Sequence, residues 1–386
     1  MMKVLIYCQH IWGVGHLFRI MEICKALQGN RVVMVTGGPQ SNVLLPAHVQ
    51  EFRLPGLMTD RNFNGLFPTD QNKTLDQVKG ERHKLFYDFV KKEGPDIFVI
   101  ELYPFGRRAF HFELAPILKG IRNGSLCGSR VVCSLRDILV EKKDRVTYED
   151  RVVDILNRYF YALLVHADPN LVKLDETFSR IDDVTIPIVY TGYVTPKTSP
   201  DDGFRLRQQL GISNDDILIV ASAGGGKVGI VLLQPVIDAL EHLDTRAPVH
   251  LHIFTGPYMS GEEFKQLTGH INNNVHVSRF TPDFLSYLAA ADLSVSMGGY
   301  NTSMNILATG AAALIWPYPG DREQGLRAER LARIGAVSVI REKDLQPSRL
   351  AALMNRVLGR KPQTNVTVDL NGSLNTARWL AQGENQ

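Results

Sequence analysis

The stretch SMGGYNTSMNILATGAAALIWPYPGDREQ, residues 296–324, joins one apolar strand to a second through a glycine pair and a helical pattern. Continuous apolar runs of this length are typical of strands that are buried on both faces of a sheet. A strand, a helix and a second strand in this order predict a right-handed βαβ unit with parallel strands. The same unit recurs along the chain, and its recurrence decides the fold.

Short apolar runs rich in Val and Ile occur in both halves of the sequence, and a longer helical pattern follows each of them. The runs lie at 3–8, 31–37, 96–102, 130–135 and 161–167 in the first half, and at 217–224, 249–256, 274–280, 293–299 and 312–320 in the second. Because strands alternate with helices, we predict an α/β protein with two doubly wound, Rossmann-like domains that face a cleft. That cleft is the expected ligand site.

The domain limits follow from length and from one polar stretch. A chain of 386 residues is too long for one ordinary hydrophobic core. The stretch TGYVTPKTSPDDG at 191–203 contains two prolines, Asp-Asp-Gly and no apolar periodicity, as linkers do. We therefore predict a first domain over 1–192, a linker over 193–203, a second domain over 204–368 and a C-terminal segment over 369–386, whose helix packs back on the first domain.

The composition is that of an ordinary globular protein, with 44% hydrophobic and 22% charged residues. A formal charge of +3 is too small to indicate a nucleic-acid partner, and none is predicted. The absence of an apolar run of about 18 residues and of a signal-peptide pattern leads us to expect a cytoplasmic protein. The cysteines, Cys8, Cys24, Cys127 and Cys133, form no metal-type pair, so we expect them to be buried in apolar packing.

The first strand runs into CQHIWGVGHLFRIMEICKAL, residues 8–27, where Gly13 and Gly15 permit a tight turn. The spacing is not that of a dinucleotide-binding loop, because Phe18 occupies the third glycine position. His16 stands where a helix is predicted to begin. A histidine at such a junction suits a general base or a contact to a ligand hydroxyl, and the alternative is a histidine that caps the turn.

A glycine-rich stretch, ASAGGGKVGI at 221–230, follows the first strand of the second domain. It is not a P-loop, because Ala221 and Val228 occupy positions that need glycine and a hydroxyl residue. We predict that its backbone N–H groups and a lysine bind an anionic group, the alternative being a flexible turn without a ligand. The residues concerned are Gly224, Gly225, Gly226 and Lys227, with Gly256 ending the next strand at the same edge.

The stretch at 296–324 contains two further candidate turns. Gly298 and Gly299 precede a helix that we predict to begin near Thr302, with Asn301 or Thr302 as the N-cap, and their amides form a cradle for a diphosphate. Beyond the next strand stand Asp321, Glu323 and Gln324, whose side chains can hydrogen-bond sugar hydroxyls. The alternative for this run is a solvated helix start capped by Asp321. We favour sugar binding, because two glycine turns precede the run along the second domain.

Three charged residues follow strands of the first domain and are expected near the cleft rim. We predict that Arg107 and Arg136 contact the acceptor, whereas a local ion pair between Arg136 and Asp137 is the alternative. Asp137 is the second candidate base after His16. The stretch 56–84 is predicted to be a loop that closes over the cleft as a lid. Its basic residues, with those that follow it, indicate either a contact with an anionic membrane surface or a solvated helix face.

Several motifs resemble the two-domain GT-B glycosyltransferases, and among them the family of bacterial N-acetylglucosaminyltransferases that make lipid II. They are GVGH at 13–16, MGGYNT at 297–302, WPYPGDREQ at 316–324 and RAERLARIGA at 327–336. The phrases PFGRRAFHFEL at 104–114, SLRDIL at 134–139 and TGYV at 191–194 are similar to a group of predicted bacterial glycosyltransferases.

The resemblance implies a nucleotide-sugar donor, UDP-linked, held mainly by the second domain, with the acceptor entering over the first. The diphosphate turn of the family is matched by Gly298, Gly299, Asn301 and Thr302, and its sugar-binding pair by Glu323 and Gln324. The donor-side loops are matched by Gly15 and by the glycines before Lys227. The proposed base is matched by His16. The chain has Asn305 where relatives carry a glutamate that binds the ribose hydroxyls, which puts the nucleotide preference in question.

The resemblance further implies direct displacement with inversion and without a bound metal, since the Asp-Asp pairs at 182–183, 201–202 and 215–216 fall in loop or linker sequence. No cofactor is expected beyond the nucleotide sugar. The acceptor is left open among small molecules, lipid-linked compounds and glycans. The other hypotheses are a non-hydrolysing nucleotide-sugar 2-epimerase and an inactive nucleotide-sugar-binding protein, which Asn305 permits.

Overall fold

The computed structural model describes residues 1–9, 15–39, 44–59, 65–140, 142–199, 201–358 and 367–382. The chain divides into two compact units, Met1–Val194 together with Val368–Gln386, and Thr195–Thr367. The predicted linker belongs largely to the second unit. The Thr195 hydroxyl donates to the carbonyl of Met304 at 3.5 Å, and a helix already begins at Asp202.

The first unit contains a parallel seven-stranded sheet in the order β3-β2-β1-β6-β7-β8-β9 and an antiparallel pair, β4-β5. Its strands are β1 Lys3–Tyr7, β2 Arg31–Thr36, β3 Val49–Arg53, β4 Leu57–Thr59, β5 Leu66–Pro68, β6 Ile97–Glu101, β7 Arg130–Arg136, β8 Ala162–His166 and β9 Ile188–Tyr190. Its main helices are α1 Gly15–Ala26, α2 Leu75–Glu93, α3 His111–Arg122 and α4 Arg145–Tyr159.

The second unit contains a parallel six-stranded sheet in the order β12-β11-β10-β13-β14-β15. Its strands are β10 Ile217–Ser222, β11 Val249–Phe254, β12 Val275–Ser278, β13 Leu293–Met297, β14 Ala313–Trp316 and β15 Ser338–Val339. Its helices are α5 Asp202–Leu210, α6 Ile230–Ala239, α7 Gly261–Thr268, α8 Phe284–Ala290, α9 Tyr300–Thr309, α10 Arg322–Arg333 and α11 Pro347–Leu358. The last helix of the chain, α12 Gly372–Gln382, belongs to the first unit.

Both sheets are doubly wound, which confirms the predicted fold class. In each sheet the chain starts in the middle, moves outward to one edge and then returns to fill the other side. The direction of winding reverses between β1 and β6 in the first unit and between β10 and β13 in the second. Ligands of open α/β sheets bind outside the carboxyl ends of the strands at such switch points. Each unit therefore has one preferred place for a site.

The stretch 56–84 is not the predicted lid over the part that the structure describes. Strands β4 and β5 form a hairpin, and α2 begins after Thr74, whose side chain and that of Gln77 form a reciprocal capping box. Arg82 of α2 has no exposed surface and is bonded to Glu113 of α3 at 2.6 Å. Residues 60–64 lie outside the described residues.

The C-terminal helix α12 completes the core of the first unit. Leu380 has no exposed surface and joins a cluster with residues of β1, α1 and β2, while Trp379 packs on the cluster from outside. The Arg130 guanidinium donates to the carbonyl of Leu380 at 3.0 Å. A single bridge between Val194 and Asn371 fixes the entry to the helix.

Three of the four cysteines are buried, as predicted, namely Cys8, Cys24 and Cys133, but Cys127 is exposed at the end of the loop after α3. Burial raises the pKa of the Cys24 thiol to about 12, so it stays protonated. Within the described ranges, none of the helices combines the length and the apolar character that crossing a bilayer requires.

Candidate functional site

The switch point of the first unit brings His16 and Glu101 together. His16 is the second residue of α1, and Glu101 is the last residue of β6, the strand beside β1. Both are therefore at the carboxyl edge of the sheet, where sites of doubly wound proteins form. Gly13, predicted to turn the chain here, lies outside the described residues.

Glu101 accepts hydrogen bonds from three side chains. The Nδ1 atom of His16 lies 2.5 Å from its Oε1, and Nη2 of Arg19 donates to the same oxygen at 2.7 Å. Nη2 and Nε of Arg107 contact Oε2 at 3.3 and 3.4 Å. The Glu101 side chain has no exposed surface, so two guanidinium groups and an imidazole replace water around the carboxylate.

These contacts decide the protonation states of the pair. Burial raises the pKa of the Glu101 carboxyl, but the charges of His16, Arg107 and Arg19 and the hydrogen bond from His16 outweigh burial and hold the pKa well below its usual value. Burial lowers the pKa of His16 to about 4, with Arg107 and Arg19 acting in the same direction and Glu101 opposing them. At neutral pH the imidazole is uncharged, Nδ1–H donates to Glu101, and Nε2 carries a lone pair.

The loop after β6 is bent to bring Arg107 to Glu101. Leu102 and Arg107 have φ values of 66° and 57°, which are unfavourable for residues other than glycine. A Cβ on Gly106 would lie closer than 3.0 Å to the Leu102 side chain, so this position needs glycine. The Arg107 side chain is only 11% exposed, and its guanidinium holds Glu101. Arg107 thus helps to position the carboxylate, and its predicted contact with the acceptor stays a prediction.

The remaining predictions for this edge have different outcomes. Asp137 has no exposed surface, so a hydroxyl of an acceptor cannot reach it in this structure, and the candidacy of Asp137 as a base ends. Arg136 is the last residue of β7 and is half-buried. Sequence analysis assigned no role to His166, whose ring nitrogens lie 2.7 Å from the Ser134 hydroxyl and 2.8 Å from the Thr191 hydroxyl. Burial lowers the pKa of His166 to about 3.

In the second unit, the turn between β13 and α9 differs from the prediction at its cap. Helix α9 begins at Tyr300 with Gly299 as N-cap, so the predicted caps Asn301 and Thr302 lie inside the first turn. Gly299 has no side chain with which to cap the helix. The amino end of a helix capped in this way is suited to an external anion, because its first amides point along the axis toward it.

The two glycines of this turn are needed for different reasons. A Cβ on Gly298 would lie 3.2 Å from Cγ2 of Ile315 and 3.3 Å from the Gln324 carbonyl oxygen, so Gly298 permits close packing. A Cβ on Gly299 would meet no atom within 4 Å. Space for a ligand therefore lies at Gly299. Thr302, in the first turn of α9, is 9% exposed.

The predicted sugar-binding run forms the start of α10. Asp321 is its N-cap and accepts from the amides of Glu323 and Gln324 at 3.1 and 3.4 Å, which is the structural alternative that the sequence left open. The Gln324 side chain donates to Asp321 at 3.0 Å. Glu323 is 7% exposed and pairs with Arg327 at 2.6 Å. All three side chains thus have partners within the unit.

Arg327 is a functional candidate that sequence reasoning missed. It has no exposed surface, and its guanidinium donates to the carbonyl of Gly298 at 3.0 Å as well as to Glu323. It therefore ties the turn after β13 to the helix after β14. The sequence contained one signal for this role. Arg327 follows Glu323 by four residues on a helical pattern, which is the spacing of an ion pair along one helix face.

The glycine-rich loop after β10 packs against the loop after β11 through backbone atoms. A Cβ on Gly226 would lie closer than 3.0 Å to the Thr255 carbonyl, and one on Gly256 closer than 3.0 Å to the Gly224 carbonyl. These two glycines, with φ values of 93° and 84°, are thus required by packing. Their predicted donor contacts stay predictions.

The exposed groups of this loop are Gly224, Gly225 and Lys227. Helix α6 starts only at Ile230, so the loop does not form the first turn of that helix. Asn305 of α9 is half-buried and accepts from the Thr195 hydroxyl at 3.4 Å. The loops after β10, β11, β13 and β14 therefore place all the predicted donor residues except Gly15 at one edge of the second sheet.

A family model and several protein sequences match this chain. Residues 222–377 match the glycosyltransferase family 28 C-terminal domain. An uncharacterised glycosyltransferase of Methanopyrus kandleri is 22% identical over 63% of this chain and 69% of its own length. A UDP-N-acetylglucosamine–N-acetylmuramyl-(pentapeptide) pyrophosphoryl-undecaprenol N-acetylglucosamine transferase of Caldicellulosiruptor saccharolyticus is 26% identical over 39% of this chain. The chain spans only 41% of the length of that transferase.

Among solved structures, CalG4, the calicheamicin glycosyltransferase, superimposes with a TM-score of 0.59 at 16% identity, covering 98% of this chain and 93% of that chain. This likeness concerns the fold over nearly the whole chain. The domain match and the relatives thus show that this chain is similar to glycosyltransferases, and the solved structure shows that it shares their two-domain fold.

Proposed function

We propose that this chain transfers a hexosyl group from a nucleoside diphosphate sugar to a hydroxyl group of an acceptor, with inversion and without a resident metal. One observation carries the proposal: Nδ1 of His16 lies 2.5 Å from Oε1 of Glu101, whose side chain has no exposed surface, so that Nε2 is left to accept a proton. A neutral imidazole oriented by a carboxylate is a recurrent form of general base.

In the proposed reaction the first unit activates the acceptor and the second unit holds the donor. Nε2 of His16 accepts the hydroxyl proton while the hydroxyl oxygen bonds to the anomeric carbon of the sugar. The bond from that carbon to the diphosphate breaks, and the electron pair leaves with the nucleoside diphosphate. Glu101 stabilises the imidazolium that results, since the positive charge then lies beside an ionised carboxylate.

The donor diphosphate is assigned to the amino end of α9. Gly299 gives it space, Thr302 offers a hydroxyl in the first turn of α9, and Arg327 holds the loop before α9 through the Gly298 carbonyl. The sugar is assigned to Glu323 and Gln324, which must exchange present partners for sugar hydroxyls. A uridine nucleotide is proposed because one relative is named as a transferase that uses UDP-N-acetylglucosamine. The cytoplasmic location stays part of the proposal.

The test of donor binding is a pair of variants at Gly299 that match in size and differ in charge. Because its Cβ position is open, Gly299→Asn and Gly299→Asp should both fold with an unchanged melting temperature. We expect Gly299→Asn to bind UDP in calorimetry within about fivefold of the parent, and Gly299→Asp to bind it more than about 100-fold less tightly, because a carboxylate repels the diphosphate. Equal affinities of the two variants would contradict the assignment.

The acceptor-side test uses His16→Gln with a panel of nucleotide sugars. Saturation at 100 times the dissociation constant raises the stability by about 2.7 kcal/mol, so a thermal screen identifies the donor. We expect His16→Gln to keep this stabilisation and to lose about 10²–10⁴-fold in transfer rate. Isomerisation of the donor without an acceptor would instead assign the chain to the epimerases. Tight binding with neither reaction would assign it to binding proteins.

A further inference from the structure

One aromatic side chain that the proposed reaction does not use lies in the loop after β14. Tyr318 stands between Trp316, the last residue of β14, and Asp321, the N-cap of α10, and it is 36% exposed. Its amide donates to Oε1 of Gln324 at 3.3 Å, and its carbonyl accepts from the amide of Asp321 at 2.9 Å. The backbone of Tyr318 is therefore fixed by two residues of the run that is predicted to bind the sugar.

The ring of Tyr318 is supported by residues of its own loop. A Cβ on Gly320 would lie 2.5 Å from Cε1 and 3.0 Å from Cζ of Tyr318, so the ring lies close to the Gly320 α-carbon. The indole of Trp316, which is 3% exposed, meets the ring edge to face, with the centroids 6.2 Å apart and an angle of 67° between the planes. The aromatic surface that stays exposed thus has a fixed place beside the start of α10.

A fixed aromatic surface next to hydrogen-bonding side chains suits a sugar ring. The hydroxyls of a pyranose lie around its rim, whereas its faces carry C–H groups that contact the negative face of an aromatic ring. Glu323 and Gln324 follow Tyr318 at the start of α10, and their side chains can bind the rim. Isolated exposed apolar residues are common on protein surfaces, but Tyr318 differs from them because the candidate sugar-binding residues themselves hold it.

We propose that Tyr318 stacks on one C–H face of the hexose ring of the donor, while Glu323 and Gln324 bind its hydroxyls. Since the Gln324 side chain contacts the Tyr318 amide, the hydrogen-bonding and stacking groups are joined in one loop. The subsite rests on the proposed function and adds a requirement to it, namely that the donor sugar is a pyranose with one face free of axial hydroxyls. Tyr318 is thus a specificity residue and takes no part in the bond-breaking step.

The experiment uses the full chain with methyl β-D-glucopyranoside as the probe. Every ring substituent of this glycoside is equatorial, so both of its faces carry only C–H groups. Saturation-transfer NMR should find the strongest transfer at the protons of one face, either H1, H3 and H5 or H2 and H4. We expect Tyr318→Leu to weaken glycoside binding about five- to tenfold, and Tyr318→Phe to bind like the parent, because phenylalanine keeps the stacking surface.

Two further variants separate the position of the ring from its chemistry. Gly320→Ala keeps Tyr318 but displaces its ring, because the added Cβ occupies the place of the ring edge, so it should resemble Tyr318→Leu. Phe204→Leu is the matched control, since Phe204 is 54% exposed on α5, and it should leave glycoside binding unchanged. All four variants change exposed positions and should keep the melting temperature of the parent.

Transfer that is absent, even over both faces, or equal in Tyr318→Leu and the parent overturns the stacking. Displacement of the glycoside by UDP-glucose but not by UDP supports the donor sugar as the bound ring. A signal that persists with UDP-glucose assigns the ring to the acceptor and overturns the subsite as a donor site.

The glycoside readout separates this proposal from the proposed function, because the probe contains no nucleotide. Loss of binding in Tyr318→Leu supports the stacking even if the two Gly299 variants bind UDP equally, in which case only the diphosphate assignment fails. Conversely, a large difference between the Gly299 variants together with parent-like binding in Tyr318→Leu refutes the stacking alone.

Discussion

At the scale of single residues, His16 and Glu101 show what a sequence reveals of a site. His16 was predicted because it follows a strand directly at the start of a helix. Glu101 was missed, because its contact joins positions 85 residues apart. The signal was present as a glutamate in the otherwise apolar run at 97–102, since a buried strand keeps a carboxylate only when that carboxylate is paired. The burial that removes Asp137 from the site, by contrast, is not visible in a local pattern.

The first prediction at this scale concerns Glu101→Gln. The amide keeps the size of the side chain but neither attracts Arg19 and Arg107 nor stabilises an imidazolium. We expect kcat to fall about 100-fold while the KM for the donor stays unchanged, because the proposed donor site belongs to the other unit. The double variant with His16→Gln should lose no more than His16→Gln alone, since the two residues act as one base. Additive losses in steady-state kinetics would show that they act separately.

The second prediction concerns the pH dependence of the rate. The base works as neutral imidazole, and burial holds the pKa of His16 at about 4, below the ordinary 6.5. We therefore expect kcat/KM to stay constant from pH 8 to pH 5.5 and to fall only as the pH decreases through about 4. Circular dichroism at each pH identifies the range in which the fold is intact. An acidic limb near pH 6.5 would mean that His16 is exposed in the working enzyme.

At the scale of elements, strand prediction succeeded where both faces are buried. All ten predicted runs contain strands, whereas β3, β4, β5, β9 and β15 were missed because they are short or half-exposed and lack a continuous apolar pattern. Helix α2 was missed for another reason. Its buried positions are Val78, Arg82, Phe86 and Val90, which are four residues apart, and the arginine interrupts the apolar stripe.

Arg82 accordingly supports the third prediction. Its guanidinium donates to Glu113, to Gln9 and to the carbonyls of Gly37 and Pro55, with no exposed surface. We expect Arg82→Met to lower the free energy of unfolding of the first unit by about 3–5 kcal/mol, because Glu113 is left as a buried charge without its partner.

The control is the double variant Arg82→Met with Glu113→Gln, which removes the charge and keeps a partner for the Tyr7 hydroxyl. Urea denaturation should find the double variant more stable than Arg82→Met alone. Lys92→Met, on the exposed face of the same helix, should change the stability by less than about 0.5 kcal/mol. A double variant less stable than the single one would mean that the guanidinium acts by packing rather than by its charge.

At the scale of the whole molecule, the fold class follows from the alternation of strands and helices, but strand order does not. Local patterns predict that strands are parallel, and they do not state that β6 lies beside β1 or that β13 lies beside β10. Those neighbouring strands create the switch points. The candidate site residues are therefore brought together by the order of the strands in each sheet. The motifs at 13–16 and 296–324 nevertheless indicated both switch points. The first motif follows β1, where the first sheet starts, and the second begins in β13, where the second sheet continues on the other side of β10.

The last prediction concerns acid unfolding of the two units. His16 and His166 of the first unit have pKa values of about 4 and about 3, and His252 of the second unit has one of about 4, each lowered chiefly by burial. Below pH 6.5 the unfolded chain binds protons at these histidines while the folded chain does not. The free energy of unfolding therefore decreases as the pH is lowered. From pH 6 to pH 5 we expect a loss of about 2 kcal/mol for the first unit and about 1 kcal/mol for the second.

Calorimetry between pH 7 and pH 5, with the two transitions assigned by limited proteolysis, measures these slopes. His166→Gln is the informative variant, because an amide can bond to both Ser134 and Thr191 but does not titrate. It should roughly halve the pH dependence of the first transition and leave the second unchanged. Equal slopes in the parent, or a single transition that carries the whole dependence, would contradict independent unfolding of units that each bury their own histidines.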